Sequence, residues 1–203
     1  MAGRLGGIGE AFADRNFRIY SVGSIVSWLS FFVQMVAMSW TTWELTHSTT
    51  WLAIIAVLDI APNLVFLPLG GVLADRFDRL RLVLIAYVAA WFHVVALTIL
   101  AYTGMLTILP LAVLSFLHGL IHSFSVPAAY GMMPRFVARE RLSAAIAVNA
   151  AYTQFAIFAG PALAGWIILH DGVVAAYATN VVGYLVYFAS VACLRTPPGH
   201  TRP

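Results

Sequence analysis

The chain has 203 residues, 62% of them hydrophobic and only 9% charged, with eleven arginines, no lysine and a formal net charge of +3. A water-soluble domain carries about 25% charged residues, so a chain this apolar cannot cover its surface with polar groups, and its solvent must be lipid. The single Cys193 excludes an internal disulfide and CxxC chemistry.

Crossing a bilayer takes about 20 mostly apolar residues at 1.5 Å each. Residues 1–18 form a mixed, polar segment without a cleavable signal-peptide pattern, expected on the cytoplasmic side. The first span, 19–43, has no formal charge, and the second, 51–74, has one, Asp59. Residues 82–134 are free of charge but too long for a single crossing. Gly104 and Pro110 divide them into spans at 82–103 and 108–131. Spans at 144–168 and 172–194 follow, which closes a bundle over 19–195, and a polar, helix-breaking tail occupies 196–203. Backbone groups in hydrocarbon must be satisfied within the segment, and these runs lack the two-residue alternation of barrel strands. The expected fold is an all-α integral membrane protein of six transmembrane helices.

Arginine sets the expected orientation. Arg4, Arg15 and Arg18 precede the first span. Arg76, Arg79 and Arg81 lie between the second and third, Arg135, Arg139 and Arg141 between the fourth and fifth, and Arg195 and Arg202 after the sixth. All fall on one side, while the opposite loops hold Glu44, His47, His170 and Asp171. The positive-inside rule then places both termini in the cytoplasm, in the cell membrane.

Two spans carry polar stripes at three- to four-residue spacing. The first has Tyr20, Ser24, Ser27, Ser30 and Gln34; the fourth has Ser115, His118, His122 and Ser125. Such spacing collects each set on one helix face, which turns from lipid towards protein or a watered cavity. Interhelical hydrogen bonding in the core explains part of each stripe equally well. Asp59 lies near the middle of its span, with Asn63 one turn on. An ionised carboxylate there needs a partner or water, so Asp59 is either a proton-coupling group or a structural acid bonded across the bundle. His118 and His122 stand at metal-ligand spacing, but no third ligand is evident and no metal is expected; they are candidates for substrate binding or proton relay. His93 stands alone and reads as a packing residue. In the fifth span, Pro161 removes a helical hydrogen bond, while Ala156, Gly160 and Ala164 form a small-residue face for close helix packing.

Between the second and third spans runs Gly71-Val72-Leu73-Ala74-Asp75-Arg76-Phe77-Asp78-Arg79-Leu80-Arg81, which resembles the G-x-x-x-D-R-x-G-R-R loop of the major facilitator superfamily. It departs at Asp78, where Gly is usual, and at Leu80. Gly160-Pro161-Ala162-Leu163-Ala164-Gly165 resembles the G-P-x-x-G-G motif of that superfamily's antiporters. Asn16-Phe17-Arg18, Trp43 to Ser48, Val126 to Ala129 and Met133 to Val137 are similar to the branch of macrolide and siderophore exporters. The resemblance covers 16–195 and implies a six-helix half-bundle built as a 3+3 inverted repeat. Family members pair two such halves, so it also implies a second half, supplied here by a second copy in a parallel C2 homodimer. A truncated chain is the competing reading. In the family the loop Asp meets a helix start in the other half, which here implies Asp75 near Ser143 of a partner copy, with Gly71, Arg76, Arg79 and Arg81 completing the gate. Gly160, Pro161 and Gly165 would form the antiporter bend. The family's helical Arg is replaced by Ser115, four places before Gly119, which leaves His118 or His122 as substitutes.

The expected function is secondary-active, proton-coupled export of a small amphipathic or apolar compound by alternating access. The substrate would meet Ser27, Ser30, Gln34, Asn63, Ser115 and Ser125. A non-transporting membrane subunit and an uptake carrier of the same fold are the alternatives. GxxxxGK[ST], HExxH and GxSxG are absent, so no enzyme, cofactor or nucleic-acid partner is expected.

Overall fold

The computed structural model describes Phe12 and residues 15–130 and 142–193. Arg4, Arg135, Arg139, Arg141, Arg195, Arg202, the Met133–Val137 motif and the 196–203 tail lie outside them. The described residues form five helices and no strand: α1 (Arg15–Thr46), α2 (Thr49–Arg76), α3 (Arg79–Tyr102), α4 (Ile108–Tyr130) and α5 (Leu142–Ala192). All five are long and apolar enough to cross a membrane.

Short polar signals set the helix ends. Ser48 caps α2 by accepting from the Trp51 amide at 3.4 Å, and Asp78 caps α3 by accepting from the Arg81 amide at 3.0 Å. A capping carboxylate satisfies a donor that the first helical turn leaves open. This explains why the loop carries Asp78 where the related motif has Gly. Between α3 and α4, Gly104 adopts φ 70°, the left-handed conformation that closes this turn.

Two helices were expected where α5 runs as one 51-residue element. At 1.5 Å per residue that is about 76 Å, more than twice the bilayer core. The element contains one non-helical residue, Gly172, at φ 82° and ψ 171°. The stretches on either side of Gly172 meet α1 in opposite senses. Before it, Ala144 and Ala145 share a cluster with Phe17 and Tyr20, while Ala164 and Ile167 share one with Val33 and Ala37. After it, Tyr177 bonds Thr41, Asn180 bonds Gln34, and Gly183 sits against Ser30. Partner numbers rise together in the first stretch and oppose each other in the second, so the chain turns back at Gly172.

The core therefore has two pairings: α1 packs chiefly on α5, and α2 chiefly on α4. Most of the outer face of α2 is apolar and exposed, including Val57, Leu64, Val65 and Leu69. In lipid such a face needs no cover.

Candidate functional site

The site begins at the contact of α2 with α4. A Cβ on Gly119 would collide with the Asp59 carbonyl, so only glycine lets the two backbones come this close. One residue earlier, His118 Nδ1 lies 2.6 Å from Asp59 Oδ1. His118 is 5% exposed and Asp59 24%. One turn on, Ser123 donates to Asn63 Oδ1 at 3.2 Å. The lone intramembrane acid and the first histidine of the α4 stripe, read separately from the sequence, are thus one pair, and Asn63 extends its face.

Aromatic rings surround the pair. Phe31 of α1 stacks on His118 at 5.5 Å between ring centroids and on His122 at 4.9 Å. His93 of α3 lies 5.5 Å from His118 and donates through Nε2 to the Leu114 carbonyl, 2.9 Å away, while its buried Nδ1 has no partner. His93 is therefore part of the cluster. Sequence reading set it apart because it sits on a different helix, without a repeat to mark it. Among the described residues no group of three or more His, Cys, Asp or Glu forms a metal site.

Two cavities meet at these rings. The first, between α1, α3, α4 and α5, is lined by Ser24, Ser27, Trp28, Phe31, Tyr87, His118, His122, Ser125, Asn149 and Tyr184, among others. Ser27 exchanges a hydrogen bond with Tyr87 at 3.1 Å, and Tyr152 donates to Asn149. The Ser24 hydroxyl is buried without a protein partner. The second cavity, between α1, α2 and α4, is lined by Phe31, Met35, Met38, Ile55, Asp59, Asn63, His118 and His122, among others. Trp28, Phe31, Tyr87, Asn149 and Tyr184 did not stand out in the sequence. For Phe31 a signal existed, since it follows Ser27 by four residues and precedes Gln34 by three on the same face.

Several candidates lie elsewhere. Gln34 is fully buried and accepts from Asn180 at 3.1 Å, Ser30 packs against Gly183, and Ser115 donates to its own helix at Leu111. None of the three lines either cavity; they hold helices together. The two stripes were expected to face a shared centre between copies. Within the single chain Ser24, Ser27, Ser30, Gln34, Ser115, His118 and Ser125 are buried, and Ser24, Ser27, His118 and Ser125 among them border the first cavity.

The motif loop is also self-contained in part. Arg79 donates to Asp75 Oδ1 at 2.8 Å and to the Ala74 carbonyl at 3.1 Å, and Asp75 is 72% exposed. Arg76 and Arg81 are exposed. A Cβ on Gly71 would meet nothing, whereas its neighbour Gly70 abuts the Ser123 backbone. In α5, Gly160 packs on Phe32 of α1, with buried Ala156 and Ala164 on the same face and Pro161 inside the helix, while Gly165 has open space around it.

A family model described as transmembrane secretion effector matches residues 10–200. Macrolide efflux protein A of Streptococcus pyogenes is 25% identical over 190 residues, covering 93% of this chain and 47% of that protein. Enterobactin exporter EntS of Citrobacter koseri is 26% identical over 187 residues, 92% of this chain and 45% of the exporter, and the Salmonella typhimurium exporter of that name is 25% identical over the same length. The chain spans about half the length of these curated relatives. With apolar helices of bilayer-spanning length and a family match along nearly all of it, this multi-pass cell-membrane chain belongs to the transmembrane secretion effector family of the major facilitator superfamily.

Proposed function

We propose that the chain forms half of a proton-coupled exporter that works by alternating access on a small amphipathic or apolar compound. The observation that carries this reading is the Asp59–His118 pair, a titratable acid and base bonded across two helices where two cavities meet. An ionisable group in the membrane interior is costly unless paired or hydrated, and such groups mark ion and proton pathways. A pair that can share or release one proton is suited to link proton entry to substrate exit. The first cavity supplies aromatic faces from Trp28 and Phe31 and the unpartnered Ser24 hydroxyl, which suits an amphipathic guest.

In this reading the turn at Gly172 makes α5 two spans, giving six in all. Arg15, Arg18, Arg76, Arg79 and Arg81 then share the cytoplasmic side with both termini. The second half is a second copy related by a two-fold axis along the membrane normal. The axis sets the exposed Asp75 beside the start of α5 in the partner, near Ser143.

Purified protein in liposomes tests the coupling. An imposed proton gradient should drive a fluorescent amphipathic dye against the proton flow. Asp59→Asn should abolish gradient-driven movement while downhill exchange survives. Full gradient-driven transport in that variant would falsify the coupling role. For the assembly, Cys193→Ser combined with Val72→Cys and Ile146→Cys, both exposed positions, should give a crosslinked dimer in membranes. A monomer that transports unaided at high dilution overturns the homodimer.

A further inference from the structure

Of the side chains lining the two cavities, three belong to both: His118, His122 and Phe31. Phe31 is the apolar one. Its ring lies nearly parallel to both imidazoles, at 26° to His118 and 29° to His122. It is braced from its own helix by edge-to-face contacts with Phe32 at 5.3 Å and Trp28 at 5.8 Å. Asp59 borders only the second cavity, and Ser24, Ser27 and Tyr87 border only the first. The carboxylate and the hydroxyl-lined space are thus on opposite sides of one ring and two imidazoles.

We propose that Phe31 is the partition between the two cavities, a positioning residue that keeps water from joining them past the Asp59–His118 pair. This rests on the coupling role of the pair. A coupled carrier must never let water run unbroken past its ionisable group from one side to the other, because protons would then flow without moving substrate. An apolar ring provides that barrier: it has no lone pair or hydroxyl to pass a proton, and its bulk excludes the water that would bridge the cavities. Stacking ties the barrier to the groups it guards. When His118 or His122 carries a charge, the ring face attracts it, and when neutral the attachment loosens. The ionisable groups around His118 are Asp59 from α2, His93 from α3, His122 from α4 and, lining the first cavity with it, Tyr20 from α1, Tyr87 from α3, and Tyr184 and Tyr187 from α5. The ring stacks on His118 itself and, of these, on His122.

The test is substrate-free proton entry into liposomes holding the purified protein and a trapped pH-sensitive dye. Phe31→Ala should raise the entry rate about tenfold over the parent protein, the size expected when one desolvated ring–cation contact and its bulk are lost. Phe31→Trp should stay tight, and Phe31→Leu, which retains most of the bulk and serves if the alanine variant does not assemble, should leak to an intermediate degree. Adding Asp59→Asn to the leaking variant should restore tightness, since the route runs through the pair. The proposal is overturned if folded Phe31→Ala or Phe31→Leu is as tight as the parent, or if their leak is indifferent to Asp59→Asn. If instead the parent protein moves dye without any response to a proton gradient, the coupled-export reading fails, and the leak measured on Phe31 variants separates that failure from this one.

Discussion

Two interfaces divide the bundle, and both are polar, but in different ways. Where α1 meets the end of α5, Gln34 bonds Asn180 and Thr41 bonds Tyr177 at 2.7 Å, all fully or nearly fully buried and all without formal charge at neutral pH. Where α2 meets α4, the pair is an acid and an imidazole, and the acid is reached by a cavity. Amide and hydroxyl bonds across membrane helices contribute about 0.6 kcal/mol each on average, and they fix rotation without requiring water. An ionisable pair adds little net stability when intact and much instability when half of it is removed. The first interface is thus a seam, and the second is a site whose structure depends on both partners.

Breaking each interface in turn gives the largest expected contrast. His118→Leu leaves the Asp59 carboxylate without its partner and should cost less than the ~3–5 kcal/mol of a fully buried pair, because the cavity lets water reach the acid. Asp59→Asn in the same background should recover much of this loss. Gln34→Leu, which leaves Asn180 to the same apolar surroundings, should cost roughly 0.6–1.7 kcal/mol and leave transport intact. Thermal unfolding in a mild detergent, read beside liposome flux, measures both. Equal destabilisation at the two positions would remove the distinction drawn here.

The glycines sharpen the comparison at smaller scale. Gly119→Ala puts a methyl group against the Asp59 carbonyl, backbone that cannot turn aside. Gly183→Ala meets the Ser30 hydroxyl, which has other rotamers, but also the Ser30 Cβ, which does not move with them. Overpacking costs about 1–3 kcal/mol, so the α2–α4 substitution belongs at the upper end and the α1–α5 substitution below it. Gly119→Ala should also abolish gradient-driven dye transport, since α4 must move off α2 and take His118 from Asp59. Retained coupling in a folded Gly119→Ala protein would show that the pair tolerates separation.

Much of this was legible in the sequence, and the gaps have physical causes. Charge-free runs located the helices because lipid tolerates nothing else, and Asp59 stood out for the same reason. The partnership of Asp59 with His118 was not legible: it joins residues 59 apart through a close approach permitted by Gly119, and no local spacing encodes it. The stripes were read as one class of residue, although Ser30, Gln34 and Ser115 serve packing while Ser27, Ser125 and His122 face open space. Polarity shows that a side chain avoids lipid, but not whether protein or a cavity receives it. His93 was read as a packing residue, and it is buried and bonded to the Leu114 carbonyl; its ring contact with His118 was not legible because a single histidine on a helix carries no pattern. The apolar runs were divided just before Gly172, the non-helical residue inside α5, yet the helical geometry continues up to it on both sides, so one element stands where two were expected.

The smallest structural effect is expected at Asp75, and its smallness is what makes it informative. Its carboxylate is 72% exposed and bonded to Arg79 one turn on. An exposed pair at this spacing contributes about 0.3–0.5 kcal/mol, so Asp75→Asn should leave the unfolding temperature of the detergent-solubilised chain within error. Arg79 also keeps its bond to the Ala74 carbonyl, which holds the loop in place without the acid. A change in transport with the unfolding temperature unchanged would therefore point away from the stability of this chain and towards what the exposed carboxylate meets during transport. Under the proposed assembly that is the start of α5 in the second half, where the helix dipole favours a negative charge. The variant should fold and insert like the parent, transport more slowly, and lose the Val72–Ile146 crosslink in proportion. Slower transport with the crosslink unchanged would separate the loop's role from assembly, and unchanged transport would reduce Asp75 to a topology signal shared with its neighbouring arginines.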